Sequence, residues 1–374
     1  MSARIRVLVV DDTALSRKIL SEAVAQVPDA ELVGAAASGA LALKRLGQGD
    51  VDLVLLDVVM PDLDGVQTLA QIRRDWPHVS VALVSGVTGR DADVTLAALS
   101  NGALDFIPKP QAASFAEGMQ RIVVDLRRVL QVIVIRRLAA AGSTPVPGGA
   151  TSPAGVASPV VPVSPAPHRL GRSTLPPPVS LILIGVSTGG PKALHEVIPQ
   201  LPPHLSVPVL IVQHMPAMFT RSLADQIARV SHVPVREAID GERLAPGHVL
   251  IAPGGRHLTV RRADDGRTLY AAITDTAPVH SCRPSVDVLF DSVVQSGYTG
   301  GVAVVILTGM GEDGALGTAA LKARGRTWCI AQDQASSVVY GMPEAIARRH
   351  LADEVLPLAA IGPRLASLPF ARTP

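Results

Sequence analysis

Leu181-Ile182-Leu183-Ile184-Gly185-Val186-Ser187-Thr188-Gly189-Gly190-Pro191 reads as a buried strand, a tight glycine turn and the entry to a helix. Its apolar run does not alternate with polar residues, as expected of a parallel strand covered on both faces. Working outward, similar runs recur at Val209–Val212, Val249–Ile251 and Val302–Leu307. Stretches of helical period separate them, near Pro191–Ile198, Arg221–Val230, Val286–Ser296 and Ala315–Ala323. Strands alternating with helices in this way predict an open, mostly parallel, doubly wound α/β sheet. Such sheets bind ligands beyond the carboxyl ends of their strands, so the residues just after each run are the first candidates for chemistry.

Upstream, the chain repeats the pattern once more. Runs at Ile5–Val10, Leu32–Ala36, Val51–Leu56, Val79–Val84 and Asp105–Ile107 alternate with helical stretches. Five strands and five helices fit, with intervening segments of ~15 to 20 residues that suit right-handed crossovers. Between these halves the composition turns to Pro, Ala, Gly, Ser and Val without hydrophobic period, which cannot offset its ordering entropy by burial. The expected organisation is a first domain over residues 1–137, a linker over 138–178 and a second domain over 179–374. A flexible linker of ~40 residues has an end-to-end distance of about 35 Å, enough for the domains to meet or separate.

Composition narrows the function. The 374 residues are 48% hydrophobic and 18% charged, a globular balance that supports a sizeable core. Thirty-four basic against 32 acidic residues leave a net charge of +2. The basic residues are scattered, which argues against nucleic acid as a ligand. Cys282 and Cys329 are the only cysteines and neither has zinc-ligand spacing, so a disulfide framework and a structural zinc are not expected. The uncharged stretches at 143–168 and 173–191 are broken by Pro-Pro-Pro, Gly-Gly and Ser-Pro and are not spanning helices. With no apolar signal region near Met1, the expectation is a cytoplasmic protein without membrane insertion.

In the first half, Asp11 and Asp12 follow strand one, Asp57 follows strand three, Ser85 follows strand four and Lys109 follows strand five. Three convergent carboxylates repel one another, and such a set is stabilised by a hard divalent cation such as Mg²⁺ with the lysine as countercharge. The bland alternative is that acidic residues open loops and cap helices, as Asp12 would before a helix starting near Thr13. The ordered combination, together with the cis-prone Lys109-Pro110 bond, favours the cluster.

In the second half, Gly185-Val186-Ser187-Thr188-Gly189 has the Gly-x-Ser-x-Gly spacing and the strand-to-helix context of a nucleophile elbow. Its glycines permit a strained backbone that exposes the Ser187 hydroxyl, and the following helix N-terminus offers N–H groups to a developing oxyanion. A Walker-type phosphate loop fails because the helix opens with Gly190-Pro191-Lys192, while a generic anion-binding glycine turn remains open on this motif alone. Two further strand ends discriminate. His214 follows Val209-Leu-Ile-Val-Gln, and Asp313 lies in Leu307-Thr-Gly-Met-Gly-Glu-Asp313. A serine needs a base to remove its proton and a carboxylate to orient that base, and these three types supply the parts of acyl-transfer chemistry. The order Ser, His, Asp differs from that of α/β hydrolases, so that fold is not assigned.

Two resemblances follow from these residues. Val9-Val10-Asp11-Asp12, Leu55-Leu56-Asp57-Val58-Val59-Met60-Pro61, Leu83-Val84-Ser85-Gly86 and Asp105-Phe106-Ile107-Pro108-Lys109-Pro110 make residues ~1 to 130 similar to the flavodoxin-like receiver domain of two-component response regulators. That resemblance implies that Asp57 accepts a phosphoryl group from a histidine kinase. It implies Mg²⁺ binding by Asp12, Asp57 and the Val59 carbonyl with Asp11 in support, contact of Ser85 and Lys109 with the phosphoryl oxygens, and a response through Phe106. Val59 stands where a polar side chain often occurs.

The second half resembles the catalytic domain of chemotaxis protein-glutamate methylesterases over ~180 to 350. The resemblance rests on the Ser187 turn, Gln213-His214-Met215-Pro216, Ala252-Pro-Gly-Gly-Arg-His257-Leu258, Arg283-Pro-Ser-Val-Asp287-Val-Leu-Phe290, the Asp313 loop and Gly341-Met-Pro-Glu-Ala345. It implies a Ser187, His214, Asp313 triad, oxyanion or substrate contacts from Thr188 and Met310, and Glu312 where Asn is common. It also implies methylated chemoreceptors as substrates, glutamine deamidation as a second reaction, no cofactor for the esterase step, and an unphosphorylated receiver lying over the catalytic cleft. A non-enzymatic signalling adaptor is the alternative; a transcription factor is disfavoured because no basic recognition helix follows the linker.

Overall fold

The non-alternating runs become parallel strands buried on both faces. The computed structural model describes residues 4–86, 88–109, 115–141, 175–266 and 268–371. In the first unit β1 (Ile5–Val10), α1 (Ala14–Ala25), β2 (Ala30–Ala36), α2 (Gly39–Leu46), β3 (Leu53–Asp57), α3 (Gly65–Asp75), β4 (Ser80–Ser85), α4 (Gly89–Ser100), β5 (Asp105–Pro108) and α5 (Phe115–Ala141) follow in order. The sheet order is β2-β1-β3-β4-β5, parallel throughout. Every residue of β3 is buried, which carries Asp57 to the carboxyl edge at the centre of the sheet.

Helix starts are set by local chemistry. Ser38, Asp64 and Thr88 cap α2, α3 and α4 through their side chains. The N-cap of α1 is Thr13, not Asp12, so helix capping does not account for Asp12. The helix α5 runs past residue 137 into the range expected to be linker. Its last turn, Leu138-Ala139-Ala140-Ala141, is rich in the best helix former, so propensity continues a helix where composition alone suggested its end. Most of the expected linker, and the bond from Lys109 to Pro110, lie outside the described residues.

The second unit contains β6 (Val179–Val186), α6 (Gly190–Val197) with a 3₁₀ turn (Ile198–Gln200), β7 (Val209–Gln213), α7 (Phe219–Val230), β8 (Val235–Glu237), β9 (Val249–Ile251), β10 (His257–Arg262) and β11 (Leu269–Thr274). It continues with α8 (Val286–Gln295), β12 (Gly301–Ile306), α9 (Ala315–Ala323), β13 (Thr327–Gln332), α10 (Met342–Arg348), β14 (Glu354–Leu356) and α11 (Leu358–Ala366). Seven parallel strands take the order β14-β13-β12-β6-β7-β9-β8, and β10 and β11 form a separate antiparallel hairpin. The chain winds one way from β6 through β7 and the other way from β12 through β13. The switch point therefore lies between β6 and β12, where a crevice opens at the strand ends.

The two units share a core. Leu96, Leu99 and Phe106 of the first belong to one buried apolar cluster with Met215, Phe219 and Leu223 of the second. The helix α4 packs on α6 and α7. The rings of Phe106 and Phe219 meet at a centroid distance of 4.4 Å, tilted by 31°. Such pairs contribute about 0.5–1.5 kcal/mol beyond area burial.

Candidate active site

Ser187 stands at the head of the turn leaving β6. Its N–H donates to the Thr308 carbonyl at 3.0 Å, and its own carbonyl accepts from the Gly190 N–H at 2.8 Å and from Gln213 Nε2 at 3.0 Å. Gly189 adopts φ +81°, a left-handed conformation that a side chain would strain. A Cβ on Gly185 would lie 2.6 Å from Val286 Cγ1, so this glycine lets α8 approach β6 closely. That approach brings the N-terminus of α8 to the end of β12, where Asp313 sits.

Asp313 is held on all sides. Oδ1 accepts from the Ser285 hydroxyl and the Asp287 N–H, each at 2.9 Å, and Oδ2 accepts from the Val286 N–H at 2.7 Å. His214 Nε2 reaches Asp313 Oδ2 at 2.7 Å. Burial works to raise the Asp313 pKa, but the bond to His214 and its charge, aided by the α8 N–H groups, bring it down to about 2. For His214 burial works downward, yet the bond to Asp313 and the neighbouring Cys282 push it up to about 9. The His214 N–H donates to the Val186 carbonyl at 3.1 Å, fixing the histidine beside the serine turn.

Ser187 and His214 line one cleft of about 320 Å³ with Thr188 and Cys282. The opposite wall belongs to the first unit: Asp105, Phe106 and Arg128. Thr188 donates its hydroxyl to Asp105 Oδ2 at 3.0 Å, and Arg128 Nε lies 3.8 Å from the same oxygen. No hydrogen bond joins the Ser187 hydroxyl to the imidazole; Nδ1, the nitrogen left by Asp313, faces Cys282 Sγ at 3.6 Å. Met310, in the loop after β12 that also carries Asp313, packs with Val338 against the cluster containing Val339 and the α5 side chains.

Asp11, Asp12 and Asp57 present carboxylate oxygens within 4.8 Å of one another. Lys109 Nζ lies 2.8 Å from Asp57 Oδ2 and 3.0 Å from Asp11 Oδ2. Burial and the charge of Asp11 raise the Asp57 pKa to about 6 despite that lysine. A crowded set of hard oxygen donors with one countercharge fits a hard divalent cation. Ser85 is buried and accepts the Thr95 hydroxyl at 2.6 Å, which ties it to α4 and leaves no hydrogen bond to Asp57. The Val59 side chain is exposed, and its N–H points to Asp57 Oδ1 at 3.5 Å.

The structure brings Ser187, His214 and Asp313 to the edge of one sheet and Asp11, Asp12, Asp57 and Lys109 to the edge of the other; the sequence did not point to Cys282, Asp105 and Arg128 as cleft lining or to Ser285 as a buried partner of Asp313. For Ser285 a signal existed, because a serine directly before an apolar helix is a capping residue, and it caps α8. Comparison with known proteins agrees with the geometry. Residues 182–365 match the model of the CheB methylesterase family, and residues 7–120 that of the response regulator receiver domain. A protein-glutamate methylesterase/protein-glutamine glutaminase of Desulfotalea psychrophila is 38% identical over 357 residues, covering 96% of this chain and 96% of that one. This chain belongs to that family. Another member, from Nocardioides sp., is 41% identical over 365 residues, 96% of this chain and 94% of its own. Among solved structures, the Thermotoga maritima CheB methylesterase catalytic domain is 38% identical and covers 50% of this chain and 97% of its own, with a TM-score of 0.48. Membership accounts for the pairing of a receiver-type sheet with a second α/β unit in one chain. Among the described residues no helix is long and apolar enough to cross a membrane.

Proposed function

We propose that this chain is a phosphorylation-controlled esterase that hydrolyses glutamyl methyl esters on the cytoplasmic domains of chemoreceptors, with deamidation of receptor glutamines as a second reaction. The observation that carries this reading is the His214 to Asp313 bond of 2.7 Å at the cleft that Ser187 lines, beneath Asp105 of the receiver. The proposed organisation is a receiver over 1–137, a linker over 138–178 and a catalytic unit over 179–374. Ser187 attacks the ester carbonyl while His214 Nδ1 takes its proton, and the same nitrogen returns that proton to the departing methoxide oxygen. Asp313 holds Nε2–H and stabilises the imidazolium. Water then attacks the acyl-enzyme with His214 again as base, leaving a glutamate side chain. For an amide the leaving group is poorer and the acid role of His214 weighs more. Thr188 and Met310 are assigned oxyanion or substrate contacts; the Ser187 N–H is already committed to Thr308.

Asp57 is the proposed acceptor of phosphoryl from a histidine kinase. Asp12, Asp57 and the Val59 carbonyl would hold Mg²⁺ with Asp11 in support, and the ion when bound offsets charge on the entering group. Ser85 and Lys109 are assigned to its oxygens. For Ser85 to turn there it must leave Thr95, which loosens the link to α4, and α4 packs on α6 and α7. Phe106 stacks on Phe219 at the foot of α7 and is carried with the same interface. The Asp105 to Thr188 bond is charge-assisted, a type that contributes about 1.5–3 kcal/mol, and every ~1.4 kcal/mol changes the open-to-closed ratio tenfold. Asp105→Ala is accordingly expected to raise basal activity about tenfold and to shrink the further gain from a phosphodonor. Basal activity equal to that of the unaltered chain would remove Asp105 from the latch.

The test of the reading is methanol release from methylated receptor by the full chain, with and without a small-molecule phosphodonor. Release should rise with the phosphodonor, and Asp57→Ala should hold it at the basal level. Activation of the Asp57→Ala chain would remove Asp57 from the control step.

The pH dependence carries its own sign. The base works only as neutral imidazole, and its pKa is raised from 6.5 to about 9. Activity at saturating substrate should therefore climb with pH along a limb centred well above 6.5. A limb at or below 6.5 in a pH–rate profile would contradict the pairing with Asp313. For stability the raised histidine contributes fully below 6.5 and loses its share as pH rises through about 9. Asp313 contributes above 3.8 and loses its share as pH falls through about 2.

A further inference from the structure

Resting on the esterase reading, we infer that Cys282 is a positioning residue for the base: its sulfur sits against His214 Nδ1, the nitrogen that must receive the Ser187 proton, and favours that nitrogen in its proton-bearing state. The contact is 3.6 Å, within reach of a sulfur hydrogen bond, and Cys282 is half-buried in the cleft wall.

The local backbone is built to deliver it there. Val279 and Cys282 close a two-residue turn by reciprocal bonds, Val279 N–H to the Cys282 carbonyl at 3.1 Å and Cys282 N–H to the Val279 carbonyl at 2.8 Å. The two residues between them, His280 and Ser281, have φ of 50° and 62°. Neither is glycine, so the turn holds a conformation that costs about 1–3 kcal/mol per residue and persists only where its surroundings impose it. They do so at both ends. His280 Nε2 lies 3.8 Å from Asp287 Oδ2, an otherwise unpartnered buried oxygen, and beyond the turn His257 Nδ1 accepts the Ser285 N–H at 3.2 Å.

The charged and titratable groups around His214 come from several elements. Asp313 holds Nε2 from the loop after β12. Across the cleft the receiver contributes Asp105, Asp125 and Arg128. Arg283 lines the cleft too, and its guanidinium reaches the Asp275 and Thr276 carbonyls. Of these, Asp313 and Cys282 are in hydrogen-bond contact with the ring, and both raise its affinity for a proton. Asp313 fixes which nitrogen faces the cleft; Cys282 acts on that nitrogen itself. An imidazolium Nδ1–H donates to the sulfur in a charge-assisted bond, about twice as strong as the neutral one in which the thiol donates to the neutral ring, so the contact favours the proton-bearing state. No proton leaves the sulfur during turnover: the Ser187 proton goes to Nδ1 and from there to the leaving oxygen.

Cys282→Ala should lower the midpoint of the activity limb by about half to one pH unit, which raises turnover below that midpoint by about three- to tenfold. KM should stay unchanged, because the sulfur touches the base and not the substrate, and the high-pH plateau should be no higher. Cys282→Ser, which puts a smaller hydroxyl acceptor in place of the sulfur, should fall between alanine and cysteine.

The experiment is a pair of measurements on the full chain with a phosphodonor: the pH profile of methanol release, and a histidine-selective NMR titration of His214. Parallel downward shifts in the alanine variant support the inference. Unshifted profile and titration, or an equal loss of turnover at every pH in both variants, overturn it. If the unaltered chain releases no methanol at any pH, the esterase reading fails instead, whatever the titration gives.

Discussion

Replacing Ser187 with alanine is expected to lower methanol release by a factor of about 10⁴ to 10⁶ while leaving phosphorylation of Asp57 unchanged. The size of the loss follows from what the hydroxyl does. Without it there is no acyl-enzyme, and what remains is binding and whatever oxyanion stabilisation the turn provides. The backbone of the turn should survive, because Gly189 and Gly190 shape it and the Ser187 N–H and carbonyl, not the side chain, bond to Thr308, Gly190 and Gln213. Phosphorylation should survive because Asp57 lies in a separate sheet. Release by the alanine variant within tenfold of the unaltered chain, measured under phosphodonor, would place the nucleophile elsewhere.

Replacing Asp313 with asparagine should lower turnover by about 10⁴ and also destabilise the fold. The carboxylate accepts four bonds: Ser285 and Asp287 on Oδ1, Val286 and His214 on Oδ2. An amide offers a single acceptor oxygen and turns an N–H₂ group against donors. One orientation leaves His214 facing an N–H, which favours the wrong tautomer; the other leaves the start of α8 with unpaired buried N–H groups. A buried group deprived of its partner costs about 1–3 kcal/mol. Melting temperature and kcat should fall together, and the His214 titration should lose its upward displacement. A variant with normal turnover and a histidine still titrating far above 6.5 would show that the acid is not Asp313.

Much of this arrangement was legible because the functional residues end strands or, like Asp313, lie in the loop that follows one. In a parallel sheet the carboxyl ends lie along one edge, so Asp11, Asp57 and Lys109 converge once their runs are recognised as strands, as do Ser187, His214 and Asp313. The resemblances then supplied roles that spacing alone leaves open. Short or alternating segments were harder to see. The strands β8 and β14 have three residues each, and the β10–β11 hairpin interrupts the βα rhythm. What could not be read was which side chains meet across the two units. Asp105 looked like part of the lysine motif, yet its carboxylate accepts from Thr188, 83 residues away. Nor did the sequence show that Met310, on the loop with Asp313, packs against the cluster that holds the α5 side chains. Cys282 carried no spacing signal, because its importance comes from a turn that places it on His214.

Under the proposed control, an activated serine lies beneath the receiver and is uncovered when Asp57 is phosphorylated. The most direct measurement is the rate at which a serine-directed fluorophosphonate labels the full chain, with the modified residue identified by mass spectrometry. That control is expected to give slow labelling of Ser187, acceleration of at least tenfold by a phosphodonor, and loss of that acceleration in Asp57→Ala. Labelling at another residue, or a rate at Ser187 indifferent to the phosphodonor, would contradict it.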